Sequence, residues 1–170
     1  MAAIAVAIVA VSTSAILIRL SYAPSIVKAF YRALFMSLLV LPFATRYGDD
    51  FRRISRRDWL FVVLSGVALA LHFATWFESL DWTSVAASVT LVQTQPIFVA
   101  VAAWLLLDEH LNGRMVGGIL VALVGSGVMS AGGLLGADVV GANPFLGNTL
   151  ALAGAIMAAG YVLAGRSLRQ

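Results

Sequence analysis

The sequence predicts an all-α, polytopic transmembrane helix bundle, and three observations carry that prediction. Of 170 residues, 61% are hydrophobic and only 11% charged, against an apolar share of about 45–50% in soluble domains. The apolar residues gather in six near-continuous stretches, each close to the ~20 residues that cross a hydrocarbon core. The charged residues fall between the stretches, and arginine alternates from one connection to the next. A lipid-solvated bundle explains all three, and six crossings leave no residues for a soluble domain.

The first predicted helix runs from Ala2 to Leu20. No basic residue precedes it and no short-residue cleavage site ends a shorter core, so it reads as a retained helix rather than a signal peptide. The second, Ser25 to Thr45, ends where Arg46 opens a charged connection. The third, Trp59 to Glu78, follows Arg56 and Arg57 and stops at the acidic pair Glu78 and Asp81. The fourth, Thr83 to Leu107, carries Gln93, Thr94, Gln95 and Pro96 near its centre. Pro96 has no N–H, so the Val92 carbonyl loses its helical partner and a kink or hinge is expected there. The fifth, Arg114 to Ala131, and the sixth, Leu146 to Gly165, carry small residues at four-residue intervals: Gly118, Ala122 and Ser126, then Ala151, Ala155 and Ala159. Such stripes permit close helix contact and point to packing rather than to a ligand.

Arginine sets the orientation, because short cytoplasmic loops are enriched in Lys and Arg. Arg46, Arg52, Arg53, Arg56 and Arg57 crowd the second connection, Arg114 lies in the fourth, and Arg166 and Arg169 follow the sixth helix. The third and fifth connections carry Glu78, Asp81 and Asp138 and no base. The N-terminus is therefore expected in the cytoplasm, with Arg19 and Lys28 as exceptions near the outer surface. The net charge of +3 belongs to this loop pattern, and nucleic-acid binding is not expected. The absence of cysteine excludes disulfides, thiolate catalysis and Cys-ligated metal.

Several residues together form a familiar order: Pro24 and Arg32 in the second helix; the run from Leu71 through His72, Trp76 and Glu78 to Pro96; Leu107 to Leu111 followed by Gly118 and Gly125; and Gly160-Tyr161 late in the sixth. In that order the chain resembles the EamA branch of the drug/metabolite transporter superfamily, over nearly its whole length. The resemblance implies ten helices in two five-helix repeats of opposite orientation. Residues 1–131 then form a first repeat, and residues 146–170 the first helix of an incomplete second one, inverted because five is odd. On this template four helices are missing, and the chain is expected to be part of a longer reading frame. Reconstituted alone it is expected to show no saturable transport.

Polar groups inside lipid are costly unless they face the bundle interior or a water-filled cavity. His72, Trp76 and Ser79 share one face of the third helix, with Ser65 a heptad earlier. His72 and Trp76 are candidates to line a substrate pathway, against a histidine satisfied by a neighbouring helix and an interfacial Trp. Gln95 shares a face with Ser84 and Ser88 and is a second candidate. Gln93 points roughly the other way and is either a further contact or a packing residue. Ser12 and Thr13, mid-way along the first helix, line the pathway by resemblance or bond back to their own helix. Tyr161 offers a phenol to the cavity or anchors at the interface. Arg32 is read as a structural charge that snorkels or bonds across helices, with the like charge of Lys28 relieved by water. Glu109 is a structural charge near Arg114 or at a helix N-terminus.

The function these features imply is a permease or exporter of small polar metabolites, amino-acid-like or related, working by alternating access. The alternative is a partner-dependent half-transporter or a nonfunctional fragment, completed by a homodimer or by the missing repeat. The expected partners are the lipid bilayer and a small-molecule substrate. An enzyme is not expected: His72 is the sole intramembrane imidazole, and Ser79 lies about 10 Å from it along the helix. Asp108, Glu109 and His110 splay apart, so neither a metal nor another cofactor is expected. No Asp or Glu is embedded in an apolar stretch, so no carboxylate proton relay is visible. The location that fits is the cell (cytoplasmic) membrane of a prokaryote.

Overall fold

The computed structural model describes residues 2–47, 54–107, 112–132 and 141–167, excepting some side chains at helix ends and along the first helix. The described residues are all-α: α1 Ala2–Leu20, α2 Ser25–Ala44 with a 3-10 turn at Thr45–Tyr47, α3 Arg56–Trp82, α4 Val85–Val92, α5 Gln95–Leu107, α6 Gly113–Gly132 and α7 Pro144–Ser167. Among them, four stretches are long and apolar enough to cross a membrane: α2, α3, α4 with α5 as one span, and α7; α6 supplies a shorter apolar run, Gly113–Gly125. The protein is thus a multi-pass membrane helix bundle.

Helix ends explain where the boundaries differ from those expected. The third helix starts three residues early because Ser55 and Asp58 form a capping box: the Ser55 hydroxyl accepts from the Asp58 N–H and the Asp58 carboxylate accepts from the Ser55 N–H. Two orphan donors are satisfied at once, which draws Arg56 and Arg57 into the first turn. It also runs a turn past Glu78, whose carboxylate accepts from Trp82 Nε1 at 2.9 Å. Asn112 caps α6 through the Met115 N–H, and Asn143 caps α7 through the Leu146 N–H, with Pro144 as the first helical residue. Proline is favoured there because its missing N–H would be unpaired anyway.

The expected kink in the fourth crossing is a two-residue interruption within one membrane-length span. Gln93 and Thr94 leave the helix, and Pro96 falls in the first turn of α5. The Thr94 hydroxyl donates to the Leu91 carbonyl at 2.6 Å, and the Ile97 N–H reaches the Thr94 carbonyl at 2.9 Å. A side chain and a tighter backbone bond thus take over part of the ladder that the proline interrupts.

Packing centres on α3 and α7, which form the most extensive helix pair; α2 packs on α3, and α4 and α5 pack on α7. Small residues make the α3–α7 approach possible. Ala151 and Ala155 are fully buried and Ala159 nearly so, and a Cβ at Gly154 would lie 3.1 Å from Thr75 Oγ1. The stripe on α6 behaves differently: Gly118 is exposed, with nothing within 4 Å of where its Cβ would be. A four-residue period marks a face that can approach another helix, but only the packed bundle decides whether one is there. Phe77 and Leu80 are completely buried, while Phe30, Phe35, Met36 and Leu39 of α2 face outward, as lipid-facing residues do.

Candidate functional site

Each polar residue of α3 that shares the His72 face has a definite partner or contact. Ser65 Oγ donates to the Tyr161 carbonyl at 3.5 Å, and His72 Nδ1 lies 2.8 Å from the Gly154 carbonyl, both on α7. A carbonyl oxygen carries no proton, so Nδ1 is the donor and, in the neutral ring, Nε2 is left as acceptor. Ser79 donates to the Trp76 carbonyl at 2.6 Å, so the 2.5 Å contact between Ser79 and Ser88 has Ser88 as its donor. The face thus closes against α7 and α4. Trp76 stacks on His72 with ring centroids 5.8 Å apart and continues into Phe77 at 5.2 Å.

The break in the fourth crossing sends its two glutamines in different directions. Gln93 lines a cavity of about 260 Å³ with Pro96, Ala100 and Met115, walled by Gly118, Ile119 and Ala122 of α6. Gln95 lines a second, open one of about 330 Å³ that shares Pro96, Ala100 and Met115 and is bordered by Val162 and Arg166 of α7. Gln95 Nε2 also donates to the Ala158 carbonyl at 3.5 Å. Gln93, Gln95 and Pro96 therefore come together around two adjoining cavities, the second of which reaches the lower edge of the roughly 300–1,000 Å³ usual for small-molecule pockets while the first falls short of it. His72 and Trp76 line neither.

The other candidates lie apart. Thr13 is exposed and its hydroxyl bonds back to the Val9 and Ala10 carbonyls at 2.9 and 3.3 Å. The Ser12 side chain, Asp108, Glu109 and His110 lie outside the described residues. Tyr161 is 41% exposed and, like Thr13, lines neither cavity. Among the described residues no group of three or more His, Cys, Asp or Glu could hold a metal.

The cationic residues are where sequence reasoning fell short. Lys28 is not relieved by water: its side chain is only 7% exposed and its ammonium lies 4.0 Å from Asp81, which also accepts from Ser25. Arg19 does not point into the surroundings either. Its Nη1 donates to the Leu80 carbonyl at 2.5 Å and to the Thr83 carbonyl at 2.6 Å, so α1 is clamped to the corner between α3 and α4. Its position as an exception to the arginine pattern was the signal available. Arg32 lies with its guanidinium carbon 4.6 Å from the Phe73 ring centroid and 5.9 Å from those of Trp76 and Phe77. Arginine stacks on aromatic faces more readily than lysine, and this is the interhelical contact Arg32 makes.

A bundle of membrane-length helices with one interrupted apolar crossing defines a polytopic membrane protein. The EamA-like transporter family model matches residues 1–131, and the chain belongs to that family. No curated protein and no solved structure matches the chain.

Proposed function

We propose that the chain is a permease or exporter of small polar metabolites, with the break between α4 and α5 at its working centre. The observation that carries this reading is the placement of Gln93 and Gln95 on adjoining cavities of about 260 and 330 Å³ either side of Pro96. Amides supply both donors and acceptors without charge, which suits neutral or zwitterionic solutes of amino-acid size. A helix interrupted at bilayer depth can rearrange at low cost, as alternating access requires. In this reading α1 and α6 complete six crossings, residues 1–131 are one five-helix repeat, and α7 begins a second, inverted one. The arginine-rich connections lie in the cytoplasm with the N-terminus, and the membrane is the prokaryotic cytoplasmic membrane.

His72 serves here as a tie between α3 and α7 that must be kept or broken as the cavity opens, and Trp76 as the wall beside it. The open Gly118 face of α6 favours a second reading, in which another copy or a further helix completes the transporter.

The test is efflux of amino acids from cells carrying the native gene product and its Gln95→Ala and Gln93→Ala variants. Loss of one substrate hydrogen bond, about 1.4 kcal/mol, lowers the initial rate about tenfold, with membrane level unchanged. Wild-type rates in both variants would return the two glutamines to packing.

A further inference from the structure

Two buried N–H donors have no acceptor among the described residues. Arg32 Nε and Trp76 Nε1 are both shielded from solvent, and neither has a hydrogen-bond partner among the described residues. Buried polar groups are nearly always paired, and each unpaired one in a native fold calls for an explanation. The two side chains are neighbours, with the Arg32 guanidinium carbon 5.9 Å from the Trp76 ring centroid. Among the described residues Arg32 has aromatic faces, and no carboxylate, against its charge. Glu78 and Asp81, the carboxylates near the end of α3, are engaged by Trp82 and by Ser25 and Lys28, and no ion pair of Arg32 occurs among the described residues. By helix rise it lies about 10 Å along α2 from Ser25, and Trp76 about 9 Å from the end of α3. At that depth an unpaired cation is expensive.

We propose that Arg32 and Trp76 form an anion-binding point, and that its ligand is the carboxylate of a small amphipathic solute. The carboxylate would accept from the guanidinium fork and from the indole N–H, and so use donors that are otherwise orphaned. Charge balance favours a monoanion: Lys28, the next cation along α2, is already paired with Asp81, so one positive charge is available. The aromatic neighbours of the guanidinium are Phe73, Trp76 and Phe77, and such neighbours favour an acid with an aromatic or aliphatic body. The inference rests on the permease reading and adds a substrate class to it: amphipathic acids, whose carboxylate is recognised at α2 and α3 in addition to the contacts at the α4–α5 break.

The experiment compares binding of N-acetyl-L-phenylalanine and of its carboxamide to the purified chain in maltoside micelles by calorimetry. Wild type is expected to bind the acid at least about tenfold more tightly than the amide, the worth of a charge-assisted pair. Arg32→Gln should abolish that preference, Arg32→Lys should restore part of it, and Trp76→Phe, which keeps the ring and removes the N–H, should weaken the acid alone. Helix content by circular dichroism identifies any variant that has not folded, and Trp76→Phe then carries the test. Equal binding of acid and amide by wild type, loss of both ligands together in Arg32→Gln, or no saturable binding of N-acetyl-L-phenylalanine, hexanoate or benzoate would overturn the proposal. So would displacement of the acid by a few phosphatidylglycerol molecules per micelle, which would assign the site to a lipid headgroup. Counterflow in liposomes carrying the native gene product separates the two readings. Flux that ignores the acid–amide difference keeps the permease and removes the anion point; selective binding without flux does the reverse.

Discussion

Gly147 sets how closely the start of α7 can approach the corner between α3 and α4, and Gly147→Ala should lever the two apart. A Cβ at this position would lie 2.7 Å from Thr83 Cβ, 2.8 Å from Thr83 N and 2.9 Å from Thr83 Cγ2. Ordinary carbon contacts fall at about 3.5–4.0 Å, so the added methyl is roughly 1 Å too close. One of the atoms it meets is backbone and cannot rotate away. Thr83 is itself held on three sides: its N–H donates to the Ser79 carbonyl at 3.0 Å, its hydroxyl to Asn148 Oδ1 at 3.0 Å, and its carbonyl accepts from Arg19 at 2.6 Å. Overpacking of this kind costs about 1–3 kcal/mol, and losing the Thr83–Asn148 bond adds about 1 kcal/mol. Against this, alanine in place of a helical glycine gains about 0.5–1 kcal/mol. The net expectation is a loss of about 1–3 kcal/mol. Gly160→Ala on the same helix is the control, because its Cβ would meet only Ala68 Cβ, at 3.9 Å; there the backbone gain should win and the variant should be slightly more stable. Unfolding in mixed maltoside and dodecyl sulfate micelles, followed by circular dichroism, measures both. Wild-type stability in Gly147→Ala, or an equal loss in Gly160→Ala, would refute the close-approach argument.

Three further outcomes are expected. Arg19→Met should cost about 1.5–3 kcal/mol, the range for a hydrogen bond to a charged group, and the same unfolding titration shows whether the clamp on the Leu80 and Thr83 carbonyls matters. Ser79→Ala should cost more than Ser88→Ala, because Ser88 then loses its acceptor whereas Ser79 keeps the Trp76 carbonyl; a double-mutant cycle should return a coupling of about 0.6–1.7 kcal/mol. Single cysteines in this cysteine-free chain report orientation: Thr45→Cys should react with an impermeant maleimide only in inverted vesicles and Asn143→Cys only in intact cells, and the opposite pattern would reverse the proposed topology.

The Arg32–aromatic contact shows why part of the site could not be read from the sequence. That Arg32 lies too deep to be a loop residue is plain from its place in an apolar run. That it rests on Phe73 depends on how α2 is rotated against α3, and hydropathy does not encode rotation. His72 shows the same division. Its face on α3 follows from helical period, but its partner is the Gly154 backbone carbonyl, and every residue supplies a carbonyl, so no side-chain pattern could announce it. Gln93 and Gln95 were legible as a polar break because proline removes a donor wherever it stands. Their divergence also follows from helical period, since residues two apart point to nearly opposite sides; which helix each would meet, α6 for Gln93 and α7 for Gln95, was not legible.

The sequence by itself determined that this chain is all-α, that it lives in a membrane, and where its fourth crossing is interrupted. These are sums over about twenty neighbouring residues or consequences of one residue's covalent chemistry, so they need no knowledge of distant contacts. The tertiary structure alone decided that α3 pairs with α7, that the small stripe of α7 is packed while Gly118 on α6 stands open, and that Lys28, Arg19 and Arg32 have three different fates. Those outcomes join residues as far apart as His72 and Gly154, and they turn on steric fit and charge balance between surfaces that exist only once the helices have assembled.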